Sequence, residues 1–263
     1  MSVGRAVRDR IAAQSAMADV VEAQRQARPR GRLARAVGVS PLVPAARASY
    51  RDALAELVVG DILENLGNNW DVLHDLPLGD STLDHLLIGP AGTFAIRAAH
   101  YGERDIVISP DGIAVGGEAT DDVADAIDQS VASSEYLSAA SQREITVEPL
   151  VVVVAPRRLV RGNGEGTIVT SYELSNHLSR LDPVMAGSEV AAISDFADLE
   201  STWGHQAAAS KDIEDLHKSF AVVRDDVRSA LLRRVILGSV AAIAGLVTLW
   251  VVVAQTTSML LAS

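Results

Sequence analysis

The C-terminal segment constrains this chain most, because it is strongly hydrophobic and contains no charged side chain. Arg234 is the last charged residue, and none of the 29 residues at 235–263 is Asp, Glu, Lys, Arg or His. Of the 20 residues at 235–254, 16 are hydrophobic. A helix of about 20 residues is roughly 30 Å long, which matches the hydrocarbon thickness of a bilayer. The sequence therefore predicts a transmembrane helix at 235–257, followed by a short tail at 258–263.

Arginines flank this hydrophobic segment on one side only. Four of them precede it within 11 residues, and no positive charge follows it. Positively charged flanks stay on the cytoplasmic side of a membrane. The N-terminus has no apolar stretch of its own, so no secretory signal peptide is predicted. We therefore expect a single-pass, tail-anchored protein of the cell membrane, whose N-terminal domain is cytoplasmic.

The charge of the chain is unevenly distributed, although its net value is −11. Residues 1–47 contain nine arginines and three acidic residues, so we interpret them as a basic N-terminal leader. Such a leader could bind nucleic-acid phosphates or anionic lipid. A solvated, partly helical leader is the alternative. The chain has no cysteine, which excludes a disulfide framework, a thiolate zinc site and a cysteine nucleophile.

Residues 48–205 have the pattern of an α/β domain. Apolar spacing and turn residues predict helices at 47–66, 121–140 and 171–181, and strands at 70–76, 82–88, 93–100 and 149–156. The last of these strands is a continuous apolar run, typical of a strand that is buried on both faces. A hairpin is expected at 104–115. This order of elements predicts a mixed sheet that is flanked by helices.

A linker and juxtamembrane amphipathic helix are predicted at 206–234, between the domain and the membrane segment. Apolar residues recur there at spacings of three and four, at Ile213, Leu216, Phe220, Val223, Val227 and Ala230. This seam is shorter than three heptads, so it either packs back on the domain or pairs with a second copy. Small residues at Gly238 and Gly245 add a weak indication of helix pairing. A homodimer through residues 213–245 therefore remains one of two alternatives.

One predicted strand pair carries a family motif. Leu83, Asp84 and His85 lie on the first strand, a Gly-Pro-x-Gly turn follows at 89–92, and Phe94 lies on the second strand. This pattern resembles the nuclease-related domain, NERD, of the PD-(D/E)XK, restriction-endonuclease-like fold. The resemblance covers roughly residues 48–156 and implies a restriction-endonuclease-like mixed sheet flanked by helices. It also implies site positions at Glu56 on the preceding helix and at Gln129 on the following helix.

The sequence departs from the family where the chemistry of the site would be. The family carries an E-x-K motif on the second strand, whose carboxylate binds a divalent metal and whose lysine assists the attacking water. Here the two positions are Arg97 and Ala99, which share one face of the strand. No residue is therefore assigned a catalytic role, and Glu56, Asp84, Arg97 and Gln129 are candidates for a degenerate site. We hypothesise that Arg97 pairs with Asp84 and replaces the metal as its counter-charge.

Three functions follow from these observations. The first is a membrane-anchored, cytoplasmic-facing module for binding or scaffolding that is catalytically degenerate. The second is a divalent-metal-dependent nuclease acting on DNA or RNA, and the third is a structural membrane interaction protein. No cofactor is expected for the first and third, and Asp84 is the one ligand candidate for a metal. Mg²⁺ or Mn²⁺ belongs only to the nuclease alternative.

Overall fold

The computed structural model describes residues 7–27, 30–102, 104–109, 112–162, 167–204 and 213–261, with side chains placed up to residue 250. The start of the predicted leader and the first part of the predicted linker, at 205–212, therefore lie outside the described residues. The described helices are α1 (Gln14–Arg25), α2 (Arg32–Ala36), α3 (Arg47–Glu64), α4 (Asp122–Ser141), α5 (Leu174–Arg180), α6 (Gly187–Ala197) and α7 (Ile213–Leu261). The described strands are β1 (Asp71–Leu78), β2 (Ser81–Gly89), β3 (Gly92–Ala99), β4 (Asp105–Ser109), β5 (Gly112–Val115), β6 (Glu118–Ala119), β7 (Val147–Val153), β8 (Arg158–Arg161) and β9 (Ile168–Thr170).

The main sheet has five strands in the order β1-β2-β3-β7-β9. The first three strands are antiparallel, because short turns join them, and Gly92 adopts a φ of +134° at the second turn. β7 and β9 are parallel to β3, and α4 supplies the crossover that a parallel connection requires. This arrangement confirms the predicted mixed sheet and places the apolar run of β7 in the sheet interior.

Helices cover both faces of the main sheet. On one face, side chains of β1 and β2 pack with Leu137 of α4 and Ile193 of α6. On the other face, Val59 and Leu63 of α3 pack with residues of β2, β3 and β7 and with Leu174 of α5. The expected fold class, an α/β sheet flanked by helices, is therefore confirmed.

A second, four-stranded sheet has the order β6-β5-β4-β8. The predicted hairpin is present as the antiparallel pair of β4 and β5, although its turn at 110–111 lies outside the described residues. β8 adds a parallel strand that the sequence pattern did not predict, because the strand is only four residues long and begins and ends with arginine. Val151 and Val153 pack against this sheet, which joins it to the main one.

The described part of the basic leader is folded onto the domain. Met17 and Val20 of α1 are buried against Tyr50 of α3 and against Leu216 and Phe220 of α7. Within the described residues, the first half of the predicted seam therefore packs back on its own chain, which is one of the two arrangements that the spacing allowed.

α7 is one continuous helix of 49 residues. Its segment at 213–250 is long and apolar enough to cross a membrane, and only 6% of its most apolar window is buried in the fold. A core helix of a soluble domain would be mostly buried. The length and exposure of α7 thus support the predicted membrane span.

Candidate functional site

A cavity of about 310 Å³ lies where β2 and β3 meet α3, α1 and the start of α4. Three of the four candidate residues, Glu56, Asp84 and Arg97, line it. Its charged lining consists of Asp19, Asp52, Glu56, Asp75, Asp84 and Asp122 together with Arg51, Arg97 and Arg104. Carboxylates therefore outnumber guanidinium groups in this cavity.

Asp84 projects from β2 toward the neighbouring strand. Its Oδ2 accepts a hydrogen bond from the backbone N–H of Ala98 at 2.8 Å. Burial raises the pKa of Asp84 to about 7, against the opposing effects of that hydrogen bond and of the positive charge on Arg97. Burial thus makes ionisation of Asp84 less favourable than that of an exposed carboxyl group.

Arg97 does not form the expected ion pair with Asp84. Among the described residues, its guanidinium pairs with two carboxylates in the first turn of α4: Nε lies 2.9 Å from Asp122 Oδ1, and Nη2 lies 3.3 Å from Asp125 Oδ2. The physical reason is that α4 begins with two acidic side chains one turn apart, which together accept from one planar guanidinium. Tyr101 donates to the second oxygen of Asp122 at 2.5 Å and completes this group.

Glu56 lies on α3, one turn after Asp52, and is only 6% exposed. Burial raises the pKa of Glu56 well above its ordinary range, and the nearby negative charges of Asp84 and Asp75 raise it further. Two of the acids that line the cavity, Glu56 and Asp84, therefore have raised pKa values.

Gln129, the fourth candidate, lies outside the residues that line the cavity. Its Nε2 donates to the backbone carbonyl of Thr82 at 3.2 Å, at the start of β2. Its Oε1 is buried and has no hydrogen-bond partner within the described part of the chain. The structure thus joins Gln129 to Thr82, which lines the cavity, but Gln129 itself is not among the lining residues that include the other three candidates.

The N-terminal segment supplies residues of the site that sequence reasoning missed. Asp75, which is 1% exposed and has a φ of +53°, pairs with the guanidinium of Arg10. It also accepts from the backbone N–H and the hydroxyl of Ser15, at 2.9 and 3.0 Å. Ser15 and Asp19 then line the cavity itself. The available signal was the position of an acidic residue, Asp75, between two leucines of a predicted strand.

Two histidines lie behind the site as a buried cross-strand pair. His74 and His85 are register partners on β1 and β2, and their Nδ1 atoms are 2.8 Å apart. His74 Nε2 also lies 3.2 Å from Glu64 Oε1. Burial lowers the pKa of both imidazoles, so the pair is neutral at physiological pH and connects the two strands by a hydrogen bond.

The donor set around Asp84 does not fit a divalent cation. Mg²⁺ and Mn²⁺ bind ionised oxygen ligands, so a cation here would have to displace the protons that burial favours on Glu56 and Asp84. One oxygen of Asp84 is already occupied by the Ala98 N–H, and a guanidinium lies where the family has a carboxylate. The described residues contain no group of three or more His, Asp or Glu side chains arranged to hold a metal.

The order of α3, three antiparallel strands, α4 and a parallel strand, with acidic residues on α3 and β2, defines an α/β domain with a cluster of acids at one site. Residues 51–154 match the family model of NERD, the nuclease-related domain. That range agrees with the motif-based resemblance over 48–156. No curated protein and no solved structure matches the chain.

Proposed function

We propose that this is a membrane-anchored NERD-domain protein that binds a partner or acts as a scaffold without cleaving phosphodiester bonds. The observation that carries the proposal is the position of Arg97. A fixed cation, held by Asp122 and Asp125, lies on the site face of β3 where the family motif has a metal-binding carboxylate.

The neighbouring groups support the same conclusion. Phosphodiester hydrolysis by this fold needs ionised carboxylates to hold a metal and a lysine near the attacking water. Burial raises the pKa of Glu56 and of Asp84, and Ala99 provides no ammonium at the lysine position. A fold does not carry its chemistry when the reacting groups are replaced.

The membrane part of the proposal rests on α7, the one helix among the described residues that is long and apolar enough to cross a bilayer. The arginines that precede residue 235 support a single-pass, tail-anchored arrangement in the cell membrane, with the NERD domain on the cytoplasmic side. The exposure of the apolar half of α7 supports contact with lipid, because its side chains have little contact with the domain.

A cleavage assay on the full chain in lipid nanodiscs tests the catalytic part. Labelled single-stranded DNA, duplex DNA and RNA are incubated with Mg²⁺ or Mn²⁺, with Asp84→Asn as the matched control. We expect the same background with both proteins. Metal-dependent cleavage that Asp84→Asn abolishes would establish the nuclease alternative instead.

Direct binding measurements separate the classes of partner. The same oligonucleotides, measured by fluorescence anisotropy without metal, should bind with an affinity that falls steeply with salt if nucleic acid is the partner. If no such binding occurs, the binding role belongs to a protein or lipid partner.

A further inference from the structure

Residues 30–39 are fixed against the last turns of α7 before the uncharged segment begins. Gly38 has a φ of +73°, and a Cβ atom at this position would lie 2.5 Å from the Ala230 carbonyl oxygen and 2.6 Å from the Arg234 nitrogen. The two backbones are therefore in direct contact. Such a close approach is possible only because residue 38 is glycine.

Two polar contacts extend this attachment along α7. Arg233 donates from Nη1 to the carbonyl of Arg35 at 3.2 Å, at the end nearest the apolar segment. Arg30 Nη2 lies 3.7 Å from Asp226 Oδ2, two turns earlier on α7. Residues 30–39 thus lie alongside residues 226–234, which are the last before the predicted membrane segment.

The contact with α7 determines how far residues 30–39 lie from a bilayer that α7 would cross. Ala230 is five residues before Val235, so at 1.5 Å per residue it lies about 7 Å from the start of the apolar segment. The headgroup region on each side of the hydrocarbon core is roughly 5–8 Å thick. A segment that contacts residues 230 and 234 is therefore at the depth of the lipid headgroups.

The exposed chemistry of the segment suits that environment. Leu33 is 82% exposed and Val37 is 54% exposed, while Arg32 and Arg35 are exposed beside them. Over 30–39 and 226–234 together the chain carries six arginines and one acid, Asp226, which is paired with Arg30. Cationic side chains interspersed with exposed aliphatic ones are typical of surfaces that lie in a membrane interface.

We propose that residues 30–39 form a membrane-contact surface that binds anionic lipid headgroups through Arg32, Arg35, Arg233 and Arg234 and inserts Leu33 and Val37 among them. This inference rests on the proposed function, because it requires α7 to cross the membrane. Nucleic acid would also attract the arginines, but it would leave two aliphatic side chains exposed to water. Anionic lipid can bind the arginines through its headgroups and also remove Leu33 and Val37 from water.

Site-specific labelling tests the surface, because the chain has no cysteine and each introduced one is unique. The full-length variants Leu33→Cys, Tyr172→Cys and Gly245→Cys are labelled with the fluorophore NBD and reconstituted in vesicles. One set of vesicles is phosphatidylcholine alone, and the other contains equal parts phosphatidylcholine and phosphatidylglycerol. Emission maxima and quenching by brominated acyl chains are measured for each label.

We expect the label at residue 33 to shift to shorter wavelength and to be quenched by brominated lipid, with a larger effect in vesicles that contain phosphatidylglycerol. The label at residue 172, which is 80% exposed on the domain, should stay in water, and the label at residue 245 should be quenched in both lipids. A label at 33 that stays in water while 245 is quenched overturns the contact surface but keeps the anchor. If the label at 245 is also in water, the anchor itself is wrong, and the surface is rejected with it.

Discussion

Arg97 Nε lies 2.9 Å from Asp122 Oδ1, so the cation on β3 is fixed to the start of α4 and not to Asp84. The candidate site therefore contains a cation that is held by two carboxylates of α4. Arg97 still lowers the pKa of Asp84 through space, but it does not neutralise Asp84 as an ion-pair partner. On the α3 side of the cavity, burial is the main cause that raises the pKa of Asp52 and of Glu56.

Replacing Arg97 should destabilise the domain. In Arg97→Gln, Asp122 and Asp125 lose a partner that is only 27% exposed, and we expect a loss of about 1–3 kcal/mol in the free energy of unfolding. Chemical denaturation of the full chain in detergent, followed by far-ultraviolet circular dichroism, measures this loss. Arg157→Gln is the matched control, because Arg157 is 61% exposed in its pair with Asp105 and should change stability by less than about 1 kcal/mol. Equal losses in the two variants would contradict the role of Arg97.

The raised pKa of Asp84 predicts the direction in which stability depends on pH. Between the ordinary carboxyl pKa of about 4 and the folded value of about 7, the folded state binds more protons than the unfolded state. The contribution of Asp84 to stability is therefore greatest in acid, decreases as pH rises through about 7, and is constant above that.

Asp84→Asn tests this sign directly. The amide keeps an acceptor for the Ala98 N–H and removes the titration, so stability should fall less steeply from pH 4 to pH 7 in the variant than in the parent protein. Melting temperatures measured across that range give the comparison, and Asp182→Asn, at an exposed position, serves as control. A parent protein that gains stability as pH rises, relative to Asp84→Asn, would show that Asp84 is stabilised as a carboxylate.

The ion pair of Arg10 with Asp75, which joins the N-terminal segment to β1, should be the strongest ion pair at the site. Arg10→Gln leaves the carboxylate of Asp75, which is 1% exposed, without its charged partner, and breaking a buried pair costs about 3–5 kcal/mol. Arg8→Gln is a close control, because Arg8 is 49% exposed in its pair with Asp71. Hydrogen exchange over α1 should rise in Arg10→Gln and change little in Arg8→Gln. Similar exchange in both variants would exclude this role for Arg10.

The sequence was sufficient to predict the body of the domain, because local pattern determines it. Apolar runs, glycine turns and helical spacing predicted α3, β1, β2, β3, α4 and β7 to within a few residues. The glycine of the motif has a packing reason, since a Cβ at Gly89 would lie 2.0 Å from the ring of Trp70. Local geometry of this kind leaves a clear signal in the sequence.

Contacts between residues that are far apart in the sequence left no such signal. In the sequence, three strands of the second sheet lie between Arg97 and Asp122, which are in contact in the fold. Arg10 and Asp75 are in contact only because α1 folds back over the cavity. Position on a strand face could predict that Arg97 points to the site, but not which of several carboxylates would accept from it. For the same reason the sequence left the arrangement of the basic leader open, whereas in the structure Met17 and Val20 of α1 pack against α3 and α7.

Substitutions at two glycines distinguish the loss of the contact between residues 30–39 and α7 from the effect of backbone strain alone. Gly38 and Gly79 both have a positive φ, of +73° and +62°, but a Cβ at Gly79 has no neighbour within 4 Å. Gly79→Ala should therefore cost only the conformational penalty of about 1–2 kcal/mol, whereas Gly38→Ala must also push residues 30–39 away from Ala230 and Arg234. We expect Gly38→Ala, and not Gly79→Ala, to increase hydrogen exchange in α2 and to reduce lipid quenching of the label at residue 33. Unchanged quenching in Gly38→Ala would mean that this backbone contact does not position the surface at the membrane.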